Sequence, residues 1–96
     1  LVVDDSVTNR TILQRLLQSR GHTVTEADTG RAAVEAVRQA PPDLVFMDID
    51  MPVMDGCEAT RAIRRLPAPA SGVTICAMTG PICAVSAAGG RHRRWG

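Results

Sequence analysis

Three carboxylates in this sequence stand where apolar runs stop. Asp4 and Asp5 follow "LVV" at residues 1–3, and Asp48 closes "DLVFMD" at 43–48. The segment after it, "MDIDMPVMDG" at 47–56, holds two more acids, Asp50 and Asp55, and one proline, Pro52. Carboxylates that converge repel, so they hold protons or share a cation. A hard divalent ion with oxygen ligands resolves the repulsion, and Mg²⁺ suits a site of two or three carboxylates that leaves room for water and phosphate oxygens. A carboxylate beside such an ion can accept a phosphoryl group, a transfer that needs alignment and charge neutralisation more than covalent machinery. A plainer reading competes. An acidic pair after a strand often only caps the next helix and complements its dipole, and Asp48 can be a turn residue. Asp55-Gly56 reads as turn chemistry. Thr79, after "VTICAM" at 73–78, says nothing alone. The conjunction of these residues at successive run ends favours the functional reading.

The elements that must position them are legible. "LVV" reads as a buried strand. In "SVTNRTILQRLLQSRG", Ile12, Leu13, Leu16 and Leu17 recur at helical spacing, and Gly21 sits where a helix would stop. "HTVTEA" at 22–27 alternates and is β-branched, as in a strand. "DTGRAAVEAVRQA" at 28–40 places Ala33, Val34 and Val37 on one side of a helix that Pro41-Pro42 ends. The run at 43–48 predicts a strand buried on both faces. A helix over 57–66 turns Ala59, Ala62, Ile63 and Leu66 inward, and 73–78 is a further strand. Alternating strands and helices with short loops predict a parallel sheet covered by helices, with ligands bound outside the carboxyl ends of the strands where strand order reverses. "ICAVSAA" after Pro81 reads as a short helix, and "GGRHRRWG" as an unstructured basic tail.

Composition bounds the alternatives. A chain of 96 residues, 45% hydrophobic and 22% charged, is one small globular domain. Its basic residues are all arginine, and no acid follows Glu58. Cys57, Cys76 and Cys83 show no CxxC spacing and are expected to be reduced, in a cytoplasmic protein. No apolar run approaches a membrane span, and no signal peptide is visible.

"VVDDS…NR", "DLVFMDIDMPVMDG…ATRAIR" and "CAMTG" together resemble the receiver domain of bacterial two-component response regulators, and "MPVMDGCEATRAIR" is most similar to receivers attached to hybrid sensor kinases. The match covers residues 1 to about 80, read as the receiver core, with 81–96 a divergent Gly/Ala/Arg-rich tail. The resemblance implies an α/β, flavodoxin-like, doubly wound parallel sheet of strand order 2-1-3-4-5. It implies transfer of a phosphoryl group from the phosphohistidine of a sensor histidine kinase or histidine phosphotransfer domain onto Asp48, with Mg²⁺. Asp5 would bind Mg²⁺ directly, Asp4 directly or through water, and the Asp50 backbone carbonyl would complete the protein ligands. Pro52 and Gly56 would shape the loop, and Thr79 would be the switch hydroxyl that reports phosphorylation. If the parent is a hybrid kinase, the domain sits on the cytoplasmic side of a membrane protein.

Departures from the family pattern carry weight. The lysine that pairs with the phosphoryl group has no counterpart, since the chain contains none, and arginine does not simply replace it. The fifth strand and fifth helix are expected to be missing, as in a receiver truncated or frameshifted near residue 80, with marginal stability or self-association as the result. The switch aromatic also has no candidate. Three rivals follow. One is a phosphorylation-incompetent receiver remnant that serves only as an interaction module. Another is a haloacid-dehalogenase-type phosphatase fragment, with Asp48 as nucleophile and Asp50 as acid/base. The third is nucleic-acid binding by "RHRRWG", for which a solvated tail is the plainer reading, so no nucleic-acid partner is expected. His22 and His92 are expected at the surface.

Overall fold

The computed structural model describes the backbone of residues 1–79 and 82–86 and the side chains of residues 1–78. Strands and helices alternate as β1 (Val2–Val3), α1 (Val7–Ser19), β2 (Glu26–Ala27), α2 (Gly30–Gln39), β3 (Leu44–Asp48), α3 (Gly56–Arg64) and β4 (Thr74–Thr79), with a 3₁₀ turn at Ala70–Gly72 and a last strand β5 (Ile82–Ser86). The sheet order is β2-β1-β3-β4-β5, as the family resemblance implies. β1 pairs in parallel with β2 and with β3, and β3 in parallel with β4.

β5 departs from expectation twice. Residues 82–86 form a strand rather than a helix, and the fifth position of the sheet is filled. β5 runs antiparallel to β4, with Thr79 opposite Ile82 and Ile75 opposite Ser86. The reason is the length of the connection between β4 and β5. A parallel neighbour needs a crossover of a dozen or more residues, whereas two residues suffice for an antiparallel return. The pairing also puts Cys83 beside the strand that carries Cys76. Cys76 is disulfide-bonded and Cys57 is a free thiol, which corrects the expectation of three reduced cysteines. The segment 87–96, with Arg91, His92, Arg93, Arg94 and Trp95, lies outside the described residues.

Each helix starts on a side-chain cap. Ser6 Oγ accepts from the Asn9 amide, Thr29 Oγ1 from Ala32, and Asp55 from Glu58, whose own carboxylate accepts from the Asp55 amide. This last reciprocal pair is a capping box. Asp4 and Asp5 are therefore not the cap of α1, and α1 has no acid in its first turn.

The core lies on one face of the sheet. Val3, Val45, Met47 and Ile75 are buried there with Ala33 and Val37 of α2 and Ala59 and Ile63 of α3. The other face is thinly covered. Leu44 and Phe46 alternate with the buried Val45 and Met47 and stay exposed or half-buried, so β3 is not buried on both faces. No residue of α1 is buried, and Ile12 and Leu16 are 63% and 49% exposed. Periodicity correctly marked an apolar stripe on α1, but among the described residues little packs on it. Among the described residues, no helix is long and apolar enough to cross a membrane.

Candidate functional site

The parallel pairing of β1 with β3 puts Val3 beside Met47, so both strands end at the same level. Asp4 and Asp5 leave one strand where Asp48 ends the other. Each offers a carboxylate oxygen, and the three lie within 4.8 Å of one another. Asp4 and Asp48 are half-buried and Asp5 is exposed. This is the crevice where strand order reverses, the usual binding place in an open α/β sheet.

Asp4 is held on every side. Its amide donates to Ala27 O at 3.1 Å. Its Oδ1 accepts from the Ser6 amide at 2.9 Å, and its carbonyl accepts from Arg10 Nη1 at 2.7 Å. Asp48 Oδ1 accepts from the Asp50 amide at 3.1 Å. Burial is the main reason that the Asp48 carboxyl is pushed above its ordinary range; the Asp50 amide opposes this, and the charges of Asp4, Asp5 and Asp50 add to it. Hard anionic oxygens crowded at this distance fit one divalent cation, which would relieve the repulsion between them.

The loop after Asp48 is built tightly against it. Ile49 donates to Met78 O, Met51 is buried in the core, and the Gly56 amide returns to Ile49 O at 3.1 Å. Gly56 is obligatory here: a β-carbon would stand 2.5 Å from Asp48 O and 2.8 Å from Ile49 Cα. A β-carbon on Gly30, at the start of α2, would likewise stand 2.7 Å from the Met54 carbonyl oxygen. Val53 adopts φ 68° with its side chain 98% exposed. That is a strained conformation for a β-branched residue. A cleft of about 350 Å³ opens beside the acids, lined by Asn9, Ile12, Leu13, Phe46, Asp48 and Met78.

Of the residues singled out from the sequence, Asp4, Asp5 and Asp48 come together, and Asp50 is exposed in the loop, joined to Asp48 through its amide. Asp55 is the cap of α3, a role that its reading as a turn residue did not assign. Thr79 ends β4 one residue beyond Met78, the partner of Asp48; its side chain lies outside the described residues. Sequence reasoning gave no role to Arg10, Ser6 or Gly30. The position of Ser6 at a helix start was a readable signal for the cap, but the contacts of Arg10 and Gly30 depend on elements distant in the chain.

A family model for the response regulator receiver domain matches residues 1–88. The chain is 40% identical over 87 residues to the sensor histidine kinase GacS of Pseudomonas protegens, a match covering 91% of this chain and 9% of that kinase. It is 46% identical to the two-component response regulator ORR41 of Oryza sativa subsp. japonica, covering 93% of this chain and 65% of the relative. Among solved structures, the receiver domain of sensor histidine kinase PA1611 from Pseudomonas aeruginosa, with magnesium coordinated in its active-site cleft, superposes with a TM-score of 0.78 at 35% identity over 83% of this chain and 65% of that one. This chain therefore spans less than a tenth of the GacS kinase and about two thirds of ORR41.

Proposed function

The chain belongs to the response regulator receiver domain family of two-component signalling, and from that premise we propose that Asp48 accepts a phosphoryl group from a phosphohistidine. The observation that carries this reading is the convergence of Asp4, Asp5 and Asp48 within 4.8 Å at the strand ends.

Asp4, Asp5 and Asp48, with the Asp50 carbonyl, would hold Mg²⁺. When bound, the ion supplies positive charge to the equatorial phosphoryl oxygens. The chain's own residues do the rest. The Asp50 amide fixes one Asp48 oxygen and leaves the other for attack. The Asp4 and Asp5 carboxylates set the charge that makes cation and phosphoryl binding interdependent. Thr79 is the hydroxyl assigned to the phosphorylated state, at the end of the strand beside Asp48. The donor is a sensor histidine kinase or histidine phosphotransfer domain, in the cytoplasm. The phosphatase reading of Asp48 and Asp50 assigns no task to Asp4 and Asp5, which stand beside Asp48.

A second reading rests on the absence of lysine from the sequence: a receiver that docks partners without accepting phosphate. One experiment separates the two. The chain is incubated with Mg²⁺ and a small acyl-phosphate donor, and its intact mass is recorded. A single phosphoryl adduct, lost with EDTA and in Asp48→Asn, is expected. No adduct on folded protein would leave the docking reading standing.

A further inference from the structure

Arg10 lies in α1, away from the strand ends, yet its guanidinium reaches back to them. Nη1 donates to the carbonyl oxygen of Asp4 at 2.7 Å, and Nε donates to Glu26 Oε1 of β2 at 3.1 Å. The side chain is only 15% exposed. We propose that Arg10 is a positioning residue for the acidic site, which clamps the peptide between Asp4 and Asp5 so that both carboxylates face Asp48. The inference rests on the cation-binding reading above and goes beyond it.

The clamp is mechanically specific. The Asp4 carbonyl belongs to the peptide that leads into Asp5, so fixing it fixes the exit direction of the chain from β1. The Asp4 amide is already tied to β2 through Ala27 O. Arg10 adds the second tie, since Glu26 anchors its other edge in the same strand. A planar fork with donors on two edges satisfies both partners at once, and a lysine ammonium on a flexible stem does not. Both recorded bonds go to groups other than the three clustered carboxylates, so the role is orientation rather than neutralisation.

That distinction fixes the sign of the test. Arg10→Gln removes a positive charge near a cation site. Coulomb's law alone then predicts tighter binding of a divalent ion. Loss of positioning predicts the opposite, and outer-shell partners of metal ligands typically contribute about tenfold or more to affinity. The experiment measures Mn²⁺ binding to the full chain by electron paramagnetic resonance, with Mg²⁺ competition, for wild type, Asp5→Asn, Arg10→Gln, Arg10→Lys and Glu26→Gln. Circular dichroism in EDTA checks the fold of each, and the ¹⁵N shift of the Asp5 amide reports the clamp directly.

Binding about tenfold weaker in Arg10→Gln and Arg10→Lys, with a shifted Asp5 amide, is expected. Glu26→Gln, which frees one edge of the fork, should weaken binding about threefold. Should the Arg10 variants fail to fold, the Asp5 amide shift in Glu26→Gln decides: a shifted amide supports the clamp and an unmoved one overturns it, since loss of the Glu26 charge weakens cation binding by itself. Unchanged or tighter binding in the folded variants overturns the proposal while leaving the site intact. Wild-type binding that Asp5→Asn does not reduce overturns the cation reading itself, and the proposal with it.

Discussion

A β-carbon placed on Gly56 would stand 2.5 Å from the carbonyl oxygen of Asp48. The first residue of α3 and the end of β3 thus touch backbone to backbone, and the loop between them has no slack. Gly56→Ala must push α3 away from Asp48. We expect a loss of about 2–3 kcal/mol in urea unfolding, together with a much slower gain of the phosphoryl adduct by intact mass. Wild-type values on both would show that the loop is more compliant than its geometry implies.

Asp48 gives a pH prediction. Its folded-state pKa is raised, mainly by burial and then by its acidic neighbours. A raised pKa favours the fold below the unfolded value, near 3.9, and that contribution is lost as pH rises through the folded value. In EDTA at pH 7, Asp48→Asn should therefore melt higher than wild type. The gap should close as the pH falls below about 4. Saturating Mg²⁺ should raise the wild-type melt instead, by the equivalent of about 2.7 kcal/mol at a hundredfold excess over Kd, and should fail to do so in Asp5→Asn. Melts from pH 3 to 7 with and without Mg²⁺ check both signs.

The two sheet faces should differ sharply in sensitivity. Ile63 is fully buried and Leu16 is 49% exposed. Ile63→Ala should cost about 2–5 kcal/mol and Leu16→Ala about 1 kcal/mol or less. Equal losses in denaturant titrations would mean that α1 is covered in solution.

Val53 should be improvable. At φ 68° its β-carbon is strained, and its side chain touches little. Val53→Gly removes about 1–2 kcal/mol of strain against about 0.5–1 kcal/mol of added chain entropy. A small rise in urea midpoint is expected, and a fall would show that the loop conformation is unstrained.

Much of the site was readable from local signals. Apolar runs ending in Asp4-Asp5 and Asp48 marked strand ends, Pro41-Pro42 marked the stop of α2, and Asp55-Gly56 marked a turn. These are properties of neighbouring residues, so a sequence states them directly. Apolar spacing on α1 was equally clear, but spacing tells which side of a helix is apolar and not whether anything covers it.

The sequence by itself determined the residue types at the strand ends, the helix periods and the alternating order of elements, because each depends on contacts a few residues apart. Tertiary structure decided the rest. Asp4 and Asp48 meet only because β1 and β3 pair in parallel with Val3 level with Met47. Arg10 reaches Asp4 and Glu26 only because α1 folds back over two strand ends. β5 runs antiparallel to β4 across a connection of two residues, which permits a hairpin and not a crossover. In the first two cases the deciding interaction joins segments distant in the chain, and no local pattern encodes which of them become neighbours.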